Sequence, residues 1–377
     1  MKMSRLNIVD VKKIYSTDGA FAALKNDGTV VTWGYIFGGG DSSLVYEQLT
    51  DVVEIYSTKD SFAALKKDGT VVVWGGAAEI TMEVSDLLVD VVNIFTSFTS
   101  FSALKADGSV ITWGGIFRNG YFTYPNVNNV KRVYSTGYAF AALKNDGSVV
   151  TWGPSDFGGD SSHIELTDVV EIYSTDWAFA ALKADGSAVV WGYEIFGGYS
   201  GNVDLVDIEK IFSTTEAFAA LKKDGTVLAW GTGISGGIIS GLENMLTNVI
   251  EIYSNSQSFA ALTKSGNVVT WGNLSIGGDS SRVENELVNV TKVYPSLLAF
   301  TAVKVDGSAV SWGHENYGGD SRLVELENII SVYSSLGAFA AINKDGKVVT
   351  WGNQFEGADS SSVAEDLLPS SINLIIR

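Results

Sequence analysis

Few residues in this chain could do acid–base, nucleophilic or metal chemistry. The 377 residues include two histidines, His163 and His314, and no cysteine. A chain without thiols has no cysteine nucleophile and no thiolate metal site, and it suits a reducing or an oxidising compartment equally. Carboxylates are plentiful, but no spacing selects a pair of them, or a nucleophile beside a base. The most regular are Asp27, Asp68, Asp107, Asp146, Asp185, Asp224, Asp306 and Asp345, each directly followed by Gly. Asp-Gly between two β-type runs is a hairpin turn, because both residues accept the backbone angles that a tight turn demands. The alternating acidic ligands and distal Glu of a calcium loop are absent, and the Asp, Gly and Trp spacing is not that of a sialidase Asp box.

A second candidate is the Gly-rich stretch GGDSS and its variants, at Gly39–Ser43, Gly158–Ser162, Gly277–Ser281, Gly318–Arg322 and Gly357–Ser361. No Lys-Ser/Thr follows, and no helix signal, so this is not a phosphate loop. It reads as a compact loop packing one unit on the next. The sequence therefore predicts no enzyme, no cofactor and no metal.

The elements that carry these residues repeat. The stretch AFAALKNDGTVVTWG, Ala20 to Gly34, returns nine times. Its closing Trp stands at 33, 74, 113, 152, 191, 230, 271, 312 and 351, at intervals of 39 or 41 residues. Each repeat reads as a β-branched strand such as VKKIYS (11–16), then a hairpin of FAALK and VVTW, then the Gly-rich segment. Strand-built repeats of about 40 residues predict an all-β fold, a closed β-propeller with one blade per repeat, hence nine blades of three to four strands. One domain over 1–377 is expected. Its terminal strands, about 8–15 and 371–376, would take part in ring closure, which removes exposed sheet edges. The repeated Phe and Trp residues read as core filling the wedges between blades.

Position three of the first strand carries alternating charge: Lys13 then Glu54, and Arg132, Glu171, Lys210, Glu251, Lys292. If this strand is innermost, these side chains form a structural ladder lining a central channel. Positions where similar repeats differ are free of the framework and open to display. The sharpest are the two residues before each Ala/Ser-Phe: among them Phe98, Tyr138, Asp176-Trp177, Glu216 and Leu297-Leu298. They should ring the channel mouth, with Phe98, Tyr138 and Trp177 forming one aromatic patch. Aromatics on loops held by a rigid scaffold suit partner binding. The loop of repeat three, with Phe117, Arg118, Tyr121, Phe122 and Tyr124, offers a second surface.

The frame x-A-L-x-x-D-G-x-V-x-x-W-G, as in Phe21 through Gly34, resembles the regulator-of-chromosome-condensation repeat, and does so over essentially the whole chain. The resemblance implies a β-propeller serving as a protein-binding platform, closer to bacterial members than to the eukaryotic exchange factor. The family includes a nucleotide exchange factor for a small GTPase and a secreted β-lactamase inhibitor. This chain departs from it in having Ala or Ser before the A-L strand (Ala20, Ser61, Ser100, Ala139), GGDSS where the family has G-Q-L-G, and nine repeats rather than seven.

The formal charge of −18 repels nucleic-acid phosphates. No run of about 18 apolar residues predicts a membrane span, and no signal peptide stands at the start. The reading is a monomeric, non-enzymatic scaffold for a protein partner, cytoplasmic by default or secreted as an effector or as part of a larger protein. A glycan ligand and a guanine-nucleotide exchange activity are its alternatives.

Overall fold

The computed structural model describes residues 9–76, 84–115 and 127–360. Its strands form nine three-stranded antiparallel sheets, one per repeat, and there is no α-helix among the described residues. The chain divides into two compact units, Met1–Asp176 and Trp177–Arg377. The terminal strand expected at 371–376 and the aromatic loop of repeat three lie outside the described residues. Repeats have three strands; where a fourth was allowed for, single 3-10 turns follow the Trp-Gly, as at Ile36–Gly38 and Leu274–Ile276.

The first repeat shows the pattern. Strand β1 (Val11–Ser16) pairs with β2 (Ala20–Lys25), which pairs with β3 (Val30–Gly34). The register of β1 on β2 slips between Val11 and Lys13, a β-bulge that recurs in the other first strands whose pairing is described. The bulge explains the apolar residues at positions one and four. An extra residue shifts the period-two alternation by one, so that Val52 and Ile55 face the same core. Just before the first strand stands an Asp or Asn with φ between 53° and 60° in every repeat, from Asp10 to Asn328. These two residue types tolerate the left-handed region best after Gly. Their carbonyls accept the turn N–H of the hairpin, as Asp51 does from Lys67 at 2.9 Å. The Asp of the hairpin turn does the work expected of it: Asp27 accepts from the Thr29 amide at 3.0 Å and the Thr29 hydroxyl at 2.6 Å.

Across the hairpin, Phe and Trp stack in all nine repeats, with ring centroids 5.1–5.5 Å apart and planes 17–26° from parallel. The edge of several of these stacks is closed by the preceding repeat. The carbonyl of Gly39 accepts the Trp74 indole N–H at 3.0 Å; Gly236 does so for Trp271 at 2.9 Å and Gly277 for Trp312 at 3.1 Å. These glycines end the 3-10 turn with positive φ. A Cβ on Gly277 would lie 2.5 Å from the Phe300 ring. The hydrophobic clusters accordingly straddle neighbouring repeats. One joins Leu24 and Val30 to Phe62 and Trp74; another joins Leu221 and Val227 to Phe259 and Trp271. A further joint lies at the turns, where the Gly28 carbonyl accepts from the Val52 amide at 3.0 Å, a bond repeated from Gly69 to Val91 onward.

The polar loops are used internally. In GGDSS the Asp accepts from the amide two residues on, as Asp41 does from Ser43. The first Ser meets a Thr of the third strand: Ser42 with Thr32 at 2.9 Å, Ser161 with Thr151 at 3.0 Å and Ser280 with Thr270 at 3.0 Å.

Two outcomes follow. Gly277→Ala combines a strained φ with a clash on Phe300, whereas nothing among the described residues lies within 4 Å of a Cβ on Gly357, which has the same φ class. Gly277→Ala should therefore destabilise more than Gly357→Ala by about 1–3 kcal/mol in denaturant melts. The second outcome concerns acid. The Thr29 hydroxyl and amide bonds pull the Asp27 carboxyl down to about 2, and the equivalent bonds lower Asp68, Asp107 and Asp146. A depressed folded-state value means stability present above about pH 4 and lost as pH falls toward 2. Replacing Asp68, Asp107 and Asp146 together by Asn should flatten the fall in Tm across that window.

Candidate functional site

The variable pairs sit where the first strand turns into the second, and the structure separates their two positions. The first residue of each pair is a link in a row of backbone hydrogen bonds running from repeat to repeat. In the first unit the amide of Asp18 donates to Lys59 at 3.0 Å, Lys59 to Phe98 at 3.0 Å, Phe98 to Gly137 at 2.9 Å and Gly137 to Asp176 at 2.8 Å. In the second unit Thr215 donates to Ser256 at 2.9 Å, Ser256 to Leu297 at 3.2 Å and Leu297 to Leu336 at 3.1 Å. Backbones bonded in this way stand about 5 Å apart, the spacing of adjacent strands. Several side chains on this row point into solvent: Phe98 is 45% exposed, Leu297 44% and Leu336 65%.

The second residue of several pairs turns back onto the loop after its own repeat's Trp. Tyr138 meets Phe157, with centroids 4.6 Å apart, and also Phe98 at 5.7 Å, edge-on in both cases. Trp177 packs on Phe196 at 5.0 Å and Tyr193 at 5.9 Å. The Glu216 carboxylate accepts from the Ser235 hydroxyl at 2.9 Å, and the Gln257 side chain accepts from Asn273 at 2.7 Å. Leu298 is half-buried.

Phe98 and Tyr138 thus come together, with Phe157 as a third ring that the sequence reading missed. Trp177 belongs to the second unit, half-buried in a cluster with Tyr193 and Phe196. A signal for this was present. The fifth residue after the repeat Trp is Phe157 where the pair ends in Tyr138, Phe196 where it ends in Trp177, and Ser235 where it ends in Glu216. The pair and its loop vary together because they touch.

The alternating charges lie on the first strands. Lys13 pairs with Glu54 at 2.7 Å and Lys210 with Glu251 at 2.8 Å. Each cation also lies over an aromatic ring of its own strand: Lys13 over Tyr15, Arg132 over Tyr134, Lys210 over Phe212 and Lys292 over Tyr294, 4.6–5.0 Å from the ring centre. The tyrosines add a bond across repeats, Tyr15 to Glu54 and Tyr134 to Glu171, both 2.6 Å. Burial and then the Glu54 carboxylate push the Tyr15 hydroxyl up to about 12. Burial alone would raise the Glu54 carboxyl, but the bonds from Lys13 and Tyr15 outweigh it and leave it below its ordinary value.

No group of three or more His, Asp or Glu side chains able to hold a metal ion exists among the described residues. No helix among them is long and apolar enough to cross a membrane.

No family model matches the chain, and neither does any curated protein. Solved structures do. The ectodomain of the Physcomitrella patens receptor kinase CR4 is 16% identical, with 69% of this chain and 72% of that one covered and a TM-score of 0.40. Prp20p of Saccharomyces cerevisiae, studied for its binding to Gsp1p and histones, is 17% identical over 59% of this chain and 72% of that one, with a TM-score of 0.36. Yeast RCC1 (Prp20) bound to Kap60 is 16% identical, covers 94% and 83%, and also scores 0.36. At this distance the fold rests on the strands and contacts above, not on these neighbours.

The Lys13–Glu54 pair is more than a third exposed on both sides, so water screens it. A double-mutant cycle with Lys13→Ala and Glu54→Ala should give a coupling of about 0–1 kcal/mol. A value well above that would mean that the charges, and not the apolar joints, hold the first strands together.

Proposed function

We propose that this protein is a non-enzymatic scaffold that binds a protein partner through the row of first-position residues, with Phe98 as its main anchor. One observation carries the reading. Phe98 is large, apolar and nearly half exposed, yet its backbone is pinned on both sides, from Lys59 and to Gly137, and its ring is backed by Tyr138. An aromatic held ready at low entropic cost on a rigid frame is what a binding hot spot requires. Leu297, 44% exposed and bonded on both sides, repeats the backbone arrangement in the second unit with an aliphatic side chain. Asp176, Trp177 and Glu216 support the row by packing or bonding, and we assign them a positioning role. The pairs Lys13–Glu54 and Lys210–Glu251 link neighbouring first strands weakly, and these charges do not contact the partner.

A lectin would need repeated free donors and acceptors. The described Asp-Ser-Ser loops turn theirs onto their own amides and onto the third strand, which favours the protein-binding reading.

The test compares two single variants. Phe98→Ala should leave stability within about 0.5 kcal/mol, as surface truncations do, and should abolish recovery of the partner in affinity capture with mass spectrometry. Trp177→Ala should instead cost about 1–3 kcal/mol of stability by emptying the Tyr193–Phe196 cluster. Unchanged capture by the folded Phe98→Ala protein would refute the role of this row.

A further inference from the structure

Most hairpin turns spend their polar side chains on themselves. In seven repeats the Asp of the turn accepts from both the amide and the hydroxyl of the Thr or Ser that follows the Gly, as Asp107 does from Ser109. Repeat seven changes three positions of this turn together. Thr263 stands where those repeats have Lys, Ser265 where they have Asp, and Asn267 where they have Thr or Ser. The turn still closes, because the buried Thr263 hydroxyl takes over the work of the carboxylate. It accepts from the Asn267 amide at 3.1 Å and lies 3.1 Å from the Asn267 carbonyl. The Asn267 side chain is thereby released, and it makes no hydrogen bond among the described residues.

The same exchange opens a space. In repeat three the Lys105 ammonium reaches the Leu87 carbonyl of the preceding linker at 3.3 Å. The equivalent residues in repeat seven are Thr263 and Met245, and a Thr side chain is too short to make that reach. A cleft of about 780 Å³ lies here, within the size range of small-molecule sites. The linker before repeat seven gives it Met245, Thr247 and Asn248; the turn and the linker after it give Asn267, Asn285 and Val288. All of these lie in the second unit, among repeats that are described without a gap.

The lining is neutral, although the chain carries a charge of −18. Glu284 is its one carboxylate, and Lys264 offsets it. Asn248, Asn267 and Asn285 supply three exposed carboxamides, none of them bonded to another described side chain or backbone group. A carboxamide donates and accepts side by side, and so does a pair of neighbouring hydroxyls on a sugar ring. Met245 and Val288, 51% and 42% exposed, offer apolar surface for the C–H face of such a ring. No excess of positive charge is present to hold a phosphate, sulfate or carboxylate.

We propose that this cleft binds a neutral saccharide, with the carboxamides of Asn248, Asn267 and Asn285 on its hydroxyls and Met245 and Val288 against its ring. The Asp-Ser-Ser loops lack this capacity, because their polar groups are bonded internally. The cleft is a single site and not a repeated one, since the released turn occurs only in repeat seven. Within that repeat the hairpin turn stands at the opposite end of the second strand from the variable pair, so saccharide binding is independent of the row that holds Phe98.

A printed array of neutral, sialylated and sulfated oligosaccharides, probed with the full chain, tests this; the neutral glycan that binds best is then titrated by calorimetry. Neutral members should bind and acidic ones should not. The triple variant Thr263→Lys, Ser265→Asp, Asn267→Thr restores the turn that the other repeats fold with, so it should keep the wild-type Tm while losing affinity at least tenfold. Asn285→Ala should weaken binding about tenfold, and Phe98→Ala should leave it unchanged. An array on which no neutral glycan binds overturns the proposal, and so does a triple variant that binds like the wild type. An array of neutral peptides runs in parallel. Peptide binding that the triple variant loses, with no glycan bound, would give the cleft to a peptide and also overturn the saccharide.

Discussion

The seating of a glycine on the next repeat's Phe–Trp stack is the contact on which the rest of this structure depends. Burying a Phe side chain contributes about 1.5–3 kcal/mol, and an aromatic pair adds about 0.5–1.5 kcal/mol beyond its area. An exposed ion pair such as Lys13–Glu54 contributes about 0–1 kcal/mol. The apolar joint therefore sets the spacing of the repeats, and the charges decorate it. Only glycine fits the seat, since it must hold a positive φ and bring its backbone against a ring edge, as Gly39, Gly236 and Gly277 do. The small Ala residues of the second strand have the same logic. Ala22, Ala63, Ala180 and Ala219 are fully buried between sheets, where a larger side chain would push neighbours apart.

That frame separates what must repeat from what is free to differ. The hairpin Asp, the left-handed Asp or Asn before the first strand, the seated Gly and the stacked rings all answer to backbone angles or to neighbours of fixed shape. The residue pair at the turn answers to less. Its first member gives backbone groups to the row, with a side-chain hydroxyl added at Thr215 and Ser256, so residues as different as Asp18, Lys59, Phe98, Gly137 and Asp176 serve in it. The side chain there is free to vary, from Gly137 to Phe98. Its second member answers to its own loop, which is why Tyr138, Trp177 and Glu216 each have a matching partner after the Trp.

Much of this was legible in the residues. The hairpins, their turns, the strand content and the pairing of Phe with Trp follow from spacing and residue type, because each is a local choice repeated nine times. Two features were not. The bulge in the first strand leaves only a faint trace, the apolar residues at positions one and four, which a period-two reading takes as irregularity. The inequivalence of the two pair positions depends on which way a turn points, and Trp177 shows it: the ring that the sequence marks only as unusual lies half-buried on Tyr193 and Phe196. Phe98, one of three aromatics in the sequence pattern, carries the exposed role.

Exchange of the indole protons, followed by NMR in dilute solution, tests the central joint most directly. The account predicts slow exchange for Trp74, Trp230, Trp271, Trp312 and Trp351, whose Nε1–H groups are buried against Gly carbonyls, and faster exchange for Trp33, whose indole N–H makes no hydrogen bond among the described residues. If the five exchange as fast as Trp33, the glycine seat does not hold the repeats together, and the separation of frame from display loses its physical basis.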